Sequence, residues 1–529
     1  MGKLLLLGAE AIAQGAIDAG MSGIYAYPGT PSTEITEYVQ RNSYAREKAL
    51  HSAWSTNEKT AMESALGMSY SGKRAMVCMK HVGLNVAADA FVNSAITGSG
   101  GGLIVTVADD PSMHSSQNEQ DSRFYGSFSM LPILEPSNQQ EAYDMAYEGF
   151  RVSEEFNLPV LLRITTRLAH SRAGVQRKLQ LNENKLTLPD DPQQFILLPA
   201  IARKRYKMLL ELQPSLEHKA LESEFNEFVE GPDHSKGIIS CGIAINYLEE
   251  NFSGKIPYPV LKIGQYPVPK EKLQHMVDNC ESLLVLEEGY PLLEESLRGY
   301  LNNGPVPVSG RLDGTLPRDG ELNPDLIRAA LGMESQAGKD VPSMMINRPP
   351  ALCKGCGHID TYKALLEALE SYGGGRTFSD IGCYTLGALP PFNAINSCVD
   401  MGASITMAKG ATDAGLVPSV AVLGDSTFTH SGMTGLLDVV LENSPVTVII
   451  SDNETTGMTG GQRSSALGRI ESICKGIGVP DEHIRLIIPL KKNHENNVQV
   501  IKDELAHKGV SVVVSRRECI QTASKRKRK

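Results

Sequence analysis

Two polar side chains that follow apolar runs in the last third of the sequence could bind a metal ion. Asp425 comes directly after Val420–Gly424, and Asn453 comes shortly after Val446–Ile450. Both runs read as buried parallel strands, and ligands of open α/β sheets bind beyond the carboxyl ends of such strands. Carboxylate and amide oxygens suit Mg²⁺, which takes few protein ligands and shares its coordination with substrate phosphates. The pattern predicts a Mg²⁺ and phosphate site at one sheet edge.

A glycine and a helix-forming segment beside Asp425 favour this prediction. Gly424 lets the backbone approach a ligand closely. The segment HSGMTG (430–435) can begin a helix whose N–H groups face a phosphate. The plainer alternative is that Asp425 caps a helix and that Asn453 lies in an unrelated loop. A second polar ligand after a second apolar strand favours the metal site.

The segment CKGCGH holds a second group of possible metal ligands. Cys353 and Cys356 have the spacing of a CxxC pair, and His358 follows them. Such a pair can be a dithiol, half of a zinc site or half of an iron–sulfur site. The glycine between Cys356 and His358 excludes a c-type haem motif. Spacing alone leaves the other three alternatives open.

Glu58 and Glu63 are the two glutamates of a helical pattern, NEKTAMESALGMSYSG (57–72). They lie roughly 140° apart around a helix and therefore face different surroundings. Glu58 starts the helix, where the helix dipole alone explains an acidic residue. The pattern by itself does not separate a functional glutamate from a solvated one.

Strands alternating with amphipathic helices must position these residues, and this alternation is typical of βαβ units with parallel sheets. Short apolar runs mark the predicted strands at residues 4–7, 24–27, 75–79, 103–108, 159–164, 237–242, 259–264, 282–289, 420–424, 446–450 and 511–515. The predicted fold class is therefore α/β, with two large units flanking a smaller one. The glycines of GSGGG (98–102) indicate a turn and not a nucleotide-binding fingerprint.

Shifts in composition divide the chain into four segments. Residues 1–172 form the first predicted α/β domain, and residues 173–235, rich in Lys, Glu, Gln and Leu, form a helical connector. Residues 236–335 form a smaller α/β domain, and residues 336–529 form a third domain with a basic tail. A loop rich in Gly, Pro and Asp is expected over about residues 302–350.

The overall composition limits the class of partner. A chain of 529 residues with 41% hydrophobic residues can bury several cores, and its net charge of −10 argues against nucleic acid as a general partner. The basic run KRKRK (525–529) is expected to be a solvated tail. No apolar stretch approaches the length of a membrane span. Nine cysteines in so long a chain do not form a disulfide framework, which favours a cytoplasmic location.

The string GDS (424–426), with DN (452–453) further on, resembles the Mg²⁺ and diphosphate motif of thiamine-diphosphate enzymes, whose third residue is usually Gly. The segment GMTGGQ (457–462) is similar to its continuation in 2-oxoacid:ferredoxin oxidoreductases. The resemblance implies that Mg²⁺ is bound by the side chains of Asp425 and Asn453 and by the Thr455 carbonyl. It implies that the cofactor is bound by Gly424, Asp425, Ser426, Asn453, Thr455, Gly457 and Met458.

Several longer strings are very similar to those of indolepyruvate:ferredoxin oxidoreductase alpha subunits: YPGTPSTEI (27–35), NEKTAMESALG (57–67), MKHVGLNVAADAF (79–91), ADDPSMHSSQNEQD (108–121) and DIGCYTLG (380–387). In the wider family the catalytic glutamate, which protonates the cofactor's pyrimidine ring, lies nine residues before a helix glycine, here Gly67. The resemblance therefore gives this role to Glu58 and not to Glu63. Thr30 matches the position that contacts the substrate carboxylate.

This resemblance implies two thiamine-diphosphate-binding parallel-sheet domains, one binding the pyrimidine (1–172) and one the diphosphate (336–529), around a transketolase-C-like domain (236–335). The implied reaction is oxidative decarboxylation of a 2-oxo acid, an arylpyruvate such as indolepyruvate, to acyl-CoA and CO₂. The implied cofactors are thiamine diphosphate and Mg²⁺, with coenzyme A as co-substrate. The implied partners are a smaller beta subunit, a second alpha subunit in an α2β2 assembly, and ferredoxin or another electron acceptor.

The same family often holds a [4Fe–4S] cluster through CxxCGH and two later cysteines, which here correspond to Cys353, Cys356, Cys383 and Cys519. The alternative for Cys383 and Cys519 is that they are buried hydrophobic side chains. Family members usually end in a ferredoxin-like domain, whereas this sequence ends in SRRECIQTASKRKRK. Electrons are therefore expected to leave through one cluster, a partner subunit or another acceptor. Two alternative functions are a non-oxidative thiamine-diphosphate decarboxylase and a non-catalytic scaffold subunit.

Overall fold

Aliphatic and β-branched residues fill the predicted strands, which suits strands that are buried on both faces of a parallel sheet. A computed structural model describes residues 2–301, 304–334, 342, 344–345 and 350–528 of the chain. The chain forms two compact units, residues 1–339 and 340–529. Parallel sheets dominate both units, so the predicted α/β fold class is confirmed.

The first unit contains fourteen strands and thirteen helices among its described residues, numbered here in chain order. The strands are β1 (Lys3–Leu7), β2 (Gly23–Ala26), β3 (His51–Trp54), β4 (Ala75–Lys80), β5 (Leu103–Asp109), β6 (Ile133–Leu134), β7 (Val160–Thr165), β8 (Arg172–Gln176), β9 (Phe228–Val229), β10 (Gly237–Cys241), β11 (Val260–Ile263), β12 (Gln265–Tyr266), β13 (Leu283–Leu286) and β14 (Val308–Ser309). The helices are α1 (Gly8–Asp18), α2 (Thr33–Arg41), α3 (Ser43–Glu47), α4 (Glu58–Tyr70), α5 (His81–Thr97), α6 (Arg123–Phe128), α7 (Gln139–Phe156), α8 (Thr166–His170), α9 (Pro199–Leu221), α10 (Ala244–Glu249), α11 (Lys270–Asn279), α12 (Leu292–Arg298) and α13 (Pro324–Ala330).

Two main sheets organise the first unit. The larger sheet has seven strands in the order β12-β6-β7-β5-β4-β2-β3, which are parallel except for β12. The smaller sheet has the order β14-β13-β10-β11-β9, and its strands are parallel except for β9. Since β12 comes from residues 265–266, the segment predicted as the smaller domain contributes an edge strand to the larger sheet.

Two local predictions for the first unit need correction. The apolar run 4–7 belongs to β1, which pairs antiparallel with β8 in a separate two-stranded ribbon, and Leu5 of this run is 70% exposed. The loop expected over about 302–350 contains β14 and helix α13. Asn323 begins that helix, because its side chain accepts a hydrogen bond from Leu326 N at 3.0 Å, and Pro324 suits the first helical position. Residues 302–303, 335–341, 343 and 346–349 of the expected loop lie outside the described residues.

A network of buried charges joins the two main sheets of the first unit. Arg123 pairs with Asp121 at 2.6 Å and with Glu287, just after β13, at 2.9 Å. Arg163 on β7 pairs with Asp109 at the end of β5 at 2.6 Å. Both arginine side chains are 0% exposed. Removing one partner of a buried ion pair usually costs about 3–5 kcal/mol, so this network holds both sheets in one arrangement.

The second unit is built on one parallel sheet in the order β16-β15-β17-β18-β22-β21, with a separate two-stranded ribbon, β19-β20. The strands are β15 (Thr377–Ser379), β16 (Ser397–Cys398), β17 (Ser419–Gly424), β18 (Val446–Asp452), β19 (Thr455–Thr456), β20 (Gln462–Arg463), β21 (Ile484–Ile487) and β22 (Ser511–Arg516). The helices are α14 (Gly357–Leu369), α15 (Ala403–Asp413), α16 (Asp425–Thr427), α17 (Met433–Leu441), α18 (Ile470–Ile477), α19 (His494–Leu505) and α20 (Ile520–Arg528).

The basic run at the C-terminus differs in part from its prediction. Lys525 and Arg526 are exposed, as expected of a solvated segment, but they lie in helix α20. Lys525 Nζ donates to the carbonyl of Gly460 at 3.2 Å, and Arg526 pairs with Glu518 at 2.8 Å. The last residue, Lys529, lies outside the described residues. In the part of the chain that the structure describes, no helix is both long and apolar enough to cross a membrane.

Candidate functional site

The carboxyl ends of β17 and β18 bring the predicted Mg²⁺ ligands to one sheet edge. Gly424 pairs with Ser451 in parallel register, so Asp425 and the loop that begins at Asn453 leave the sheet side by side. Asp425 starts helix α16, so the helix expected from residues 430–435 begins earlier than predicted. It then passes through a π-helical turn, Phe428–Gly432, a feature that is often found at functional sites.

Asp425 is a buried carboxylate with an oxygen that lacks a hydrogen bond. The residue is 2% exposed, and among the described residues no group donates to Oδ2. Burial, the largest cause, and the neighbouring Asp452 together raise the pKa of Asp425 to about 7, against the lowering effect of a hydrogen bond with Ser464. A divalent cation at this oxygen would satisfy it and stabilise the charged carboxylate, so the residue suits the predicted metal.

The loop after β18 carries the other predicted ligands in a constrained conformation. Asn453 Oδ1 accepts a hydrogen bond from Thr455 N at 3.1 Å, and Glu454 between them has a left-handed φ of 65°. The hydroxyl of Ser426 lies 2.9 Å from that of Thr456, which ties this loop to the start of α16. Strain of this kind is typical of ligand-binding loops.

The remaining predicted cofactor residues lie at the same sheet edge. Thr455 belongs to β19 and is 3% exposed, whereas Met458 is 58% exposed. A methyl group placed on Gly457 would lie 3.0 Å from the sulfur of Cys383. Gly457 therefore lets this loop approach one of the predicted cluster cysteines closely.

Two residues that the sequence analysis did not select support this edge. A methyl group on Gly424 would lie 2.7 Å from the ring of Tyr384, whose hydroxyl lies 2.9 Å from that of Thr427 and also hydrogen-bonds to Asp380. Asp380 accepts from the backbone N–H of Gly402 at 3.1 Å, and burial raises its pKa to about 6. The matched string DIGCYTLG was the signal that could have identified both residues.

The four cysteines predicted as cluster ligands line one cavity of about 100 Å³ in the second unit: Cys353, Cys356, Cys383 and Cys519. The cavity is also lined by Asn453 and Gly457, and Cys519 N donates to the Asn453 carbonyl at 3.0 Å. Cys353 is exposed and the other three are partly buried, so Cys383 and Cys519 are not fully buried hydrophobic side chains. Among the described residues, no three His, Cys, Asp or Glu side chains have the arrangement required by a single metal ion.

The thiols of this cavity influence one another. Burial raises the pKa of Cys383 to about 12, and the other three thiols of the cavity raise it as well. Neighbouring thiols oppose one another's ionisation, because two thiolates repel. A positively charged metal centre that they share would instead stabilise the thiolate forms.

Glu58 is buried in the first unit, whereas Glu63 is exposed. Glu58 is 6% exposed, and a methyl group placed on Gly83 of α5 would lie 2.6 Å from its Oε1. Glu63 lies on the outer face of α4, where it forms an ion pair with Lys59. A glycine within an apolar helical pattern, such as Gly83, can indicate that another residue packs closely on the helix. The sequence does not identify that residue as Glu58.

Gly83→Ala is expected to lower kcat about 10-fold, because the new methyl group must displace the Glu58 carboxyl group. Gly67→Ala in α4 is the matched control, since a methyl group there meets no atom within 4 Å. That variant should keep wild-type activity and gain up to about 1 kcal/mol of stability. Steady-state kinetics and thermal unfolding of both variants test this; equal activity of the two would contradict the contact.

Thr30 lies in a turn just before α2, in the same unit as Glu58. Ser32 N donates to the Gly29 carbonyl at 2.8 Å, and Gly29 N donates to Thr33 Oγ1 at 3.0 Å. The hydroxyl of Ser115 donates to the Thr30 carbonyl at 3.4 Å. The half-buried Thr30 thus lies in a turn closed by hydrogen bonds between its neighbours, and its carbonyl is held by Ser115.

Two family models match separate parts of the chain. The family described as pyruvate flavodoxin/ferredoxin oxidoreductase, thiamine diphosphate-binding, matches residues 14–207. The family described as thiamine pyrophosphate enzyme, C-terminal TPP-binding domain, matches residues 380–514. Thr30 and Glu58 lie in the first match, and Asp425 and Asn453 lie in the second.

The chain is also similar to whole curated proteins. It is 38% identical to the indolepyruvate oxidoreductase subunit IorA of Archaeoglobus fulgidus, over 100% of this chain and 88% of that protein. It is 38% identical to the IorA subunit of Methanothermobacter thermautotrophicus, over 98% and 87% of the two chains. A solved 2-oxoglutarate:ferredoxin oxidoreductase of Magnetococcus marinus has a similar fold, with a TM-score of 0.52 and 17% identity over 62% of this chain and 65% of that one.

Proposed function

Because the chain belongs to the family of the indolepyruvate oxidoreductase subunits IorA, we propose that it is the alpha subunit of an enzyme acting on an arylpyruvate such as indolepyruvate. The general activity of its relatives is thiamine-diphosphate-dependent 2-oxoacid oxidoreduction. In the proposed reaction the 2-oxo acid and coenzyme A give acyl-CoA and CO₂, and two electrons pass to ferredoxin or another acceptor. A smaller beta subunit completes the enzyme, in an assembly that we propose to be α2β2.

The observation that carries this proposal is the buried oxygen of Asp425, which accepts no hydrogen bond from any residue that the structure describes, at the sheet edge shared with Asn453. Asp425, Asn453 and the Thr455 carbonyl would hold Mg²⁺, and Gly424, Ser426, Gly457 and Met458 would line the diphosphate site. Thiamine diphosphate supplies an electron sink for decarboxylation when it is bound. Glu58 would hold a proton on its carboxyl group and share it with the cofactor's pyrimidine ring, and Thr30 would orient the substrate carboxylate.

Anaerobic assay of the alpha chain co-purified with its beta subunit tests the proposal. Indolepyruvate, coenzyme A, thiamine diphosphate and Mg²⁺ should give the acyl-CoA, detected by mass spectrometry, only when an electron acceptor is present. Release of an aldehyde without coenzyme A would instead identify a non-oxidative decarboxylase. Failure of the complex to bind thiamine diphosphate in calorimetry would identify a scaffold subunit.

We further propose that the cavity of Cys353, Cys356, Cys383 and Cys519 binds one [4Fe–4S] cluster, which would take electrons from the reaction. Cys356→Ser should then lower the iron content of anaerobically purified protein from about four atoms per chain to less than about one. Cys398→Ser is the control, because Cys398 is exposed and does not line the cavity. The cluster would be contradicted if wild type and Cys398→Ser both lacked iron. It would also be contradicted if wild type, Cys356→Ser and Cys398→Ser contained equal amounts of iron.

A further inference from the structure

Lys80 is a buried cation beside Thr30 that the proposed function does not use. It is the last residue of β4, directly before α5, and it is 8% exposed. Its stem packs against the turn that holds Thr30, since a methyl group on Gly29 would lie 3.2 Å from Lys80 Cβ. Lysines are rarely buried to this extent unless they are paired with an acid.

No acid in the described part of the chain forms an ion pair with Lys80. Its Nζ donates to the Ser115 carbonyl at 2.6 Å and lies 3.4 Å from the Ser115 hydroxyl. An ammonium group has three donors, and burying it without an anion costs several kcal/mol. The cation thus has a donor available for an anion from outside the chain.

Asp110 is the acid whose charge acts on Lys80, but its oxygens are engaged by other groups. One oxygen accepts from Ser115 N at 2.8 Å and from the Ser116 hydroxyl, and the other accepts from Thr166 Oγ1 at 2.7 Å. Asp110 therefore holds the Ser115 loop in place and does not neutralise Lys80 by direct contact.

The neighbours of Lys80 contact Thr30 and Glu58, the two predicted active-site residues of the first unit. Ser115, which accepts from Lys80, donates its hydroxyl to the Thr30 carbonyl. On the other side, Lys80 precedes α5, and Gly83 in the first turn of α5 contacts Glu58. An anion bound by Lys80 would thus lie among Thr30, Ser115 and the first turn of α5.

We propose that Lys80 binds the carboxylate of the 2-oxo acid together with Thr30 and so positions the substrate for decarboxylation. The inference rests on the proposed function, because that function supplies a substrate with a carboxylate. A carboxylate bound between an ammonium and a hydroxyl group would be held through charge-assisted hydrogen bonds, which fix its orientation. Phosphate groups of coenzyme A are the other anions available to the enzyme, and the experiment distinguishes them.

Calorimetric binding of indole-3-propionate, an unreactive carboxylate, to the alpha–beta complex tests the inference without turnover. Lys80→Met should weaken this binding about 20-fold, the scale of one hydrogen bond to a charged group. Binding of the neutral indole-3-propanamide should be the same in both proteins. In turnover, the KM for indolepyruvate should rise by a similar factor, while the KM for coenzyme A should stay unchanged.

Lys73→Met is the control, because Lys73 lies in the same segment but is less buried and pairs with Glu183 at 3.4 Å. It should bind both probes like wild type. Equal binding of indole-3-propionate by wild type and Lys80→Met, or no binding by wild type, overturns the inference. A change in the KM for coenzyme A alone would also overturn it. Wild type that binds the probe but forms no acyl-CoA would instead contradict the proposed function alone.

The pH dependence of kcat/KM gives a readout that a purely structural lysine would not change. Burial lowers the pKa of Lys80 to about 8, although Asp110 raises it, so Lys80 is charged below pH 8 and loses its charge above it. The other ionisable neighbours titrate lower: burial lowers the pKa of His81, and hydrogen bonds from Ser116 and Ser115 outweigh burial and lower that of Asp110. Wild-type kcat/KM should fall above pH 8, and Lys80→Arg should remove this fall.

Discussion

Glu58→Gln should lower kcat at least about 10²-fold, the scale expected when a positioned acid–base group is lost. The amide keeps the shape of the buried side chain next to Gly83, so the free energy of unfolding should change by about 1 kcal/mol or less. Affinity for thiamine diphosphate should fall only modestly, because the proposed Mg²⁺ ligands lie in the second unit. Stopped-flow reduction of the acceptor and calorimetry of cofactor binding measure the two effects separately.

Glu63→Gln is the matched control for this prediction. Glu63 is on the same helix but is exposed, and its ion pair with Lys59 contributes little to stability. Its kcat should stay within about twofold of wild type. Loss of activity in Glu63→Gln with normal activity in Glu58→Gln would show that the assignment of the catalytic glutamate is wrong.

Asp425→Asn should weaken Mg²⁺-dependent binding of thiamine diphosphate at least about 10²-fold, because even residues that only orient metal ligands contribute 10–100-fold to metal affinity. Turnover at ordinary cofactor concentrations should become undetectable. The cofactor-free protein should be no less stable above pH 7, because burial raises the Asp425 pKa to about 7 and the neutral amide avoids the cost of the buried charge. Calorimetric titration and thermal unfolding at pH 8 test both statements.

Ser426→Gly separates the loss of a metal ligand from a general disturbance of the loop. It replaces the unusual residue of the GDS motif by the one that thiamine-diphosphate enzymes usually carry. The Ser426 hydroxyl contacts that of Thr456, so its loss should cost about 1 kcal/mol of stability. Cofactor affinity should remain within about threefold of wild type. A defect as large as that of Asp425→Asn would assign the effect to loop conformation.

The sequence predicts those residues whose role depends on the chain on either side of them. Asp425 and Asn453 each follow an apolar run, which predicts their position, and the parallel register of β17 and β18 places the ends of those runs together. The fold class follows from the same alternation of apolar runs and helical patterns. The run at residues 4–7 lies in an antiparallel ribbon and not in the predicted parallel sheet, because a short apolar run has no periodicity that reveals its pairing partner.

Residues whose role depends on distant contacts were missed. Gly83 matters because Glu58, from another helix, packs on it, and Tyr384 matters because it fills the space beneath Gly424. Lys80 resembles any lysine at the end of a strand until its burial and its contact with Ser115 are known. Cys383 and Cys519 had two interpretations, and only the tertiary structure shows that they line one cavity with the CxxC pair.

The buried charge network of the first unit has a consequence for how this gene can evolve. A recombination breakpoint after residue 172 would separate Arg123 from Glu287 and Arg163 from the Glu288 carbonyl, and would also remove β12 from the edge of the larger sheet. An exchanged segment would have to supply an acid at the position of Glu287 and a strand in the register of β12 at the same time. Residues 1–335, which the composition divides into three segments, should therefore be inherited together. Chimeras joined within these residues should fail to fold.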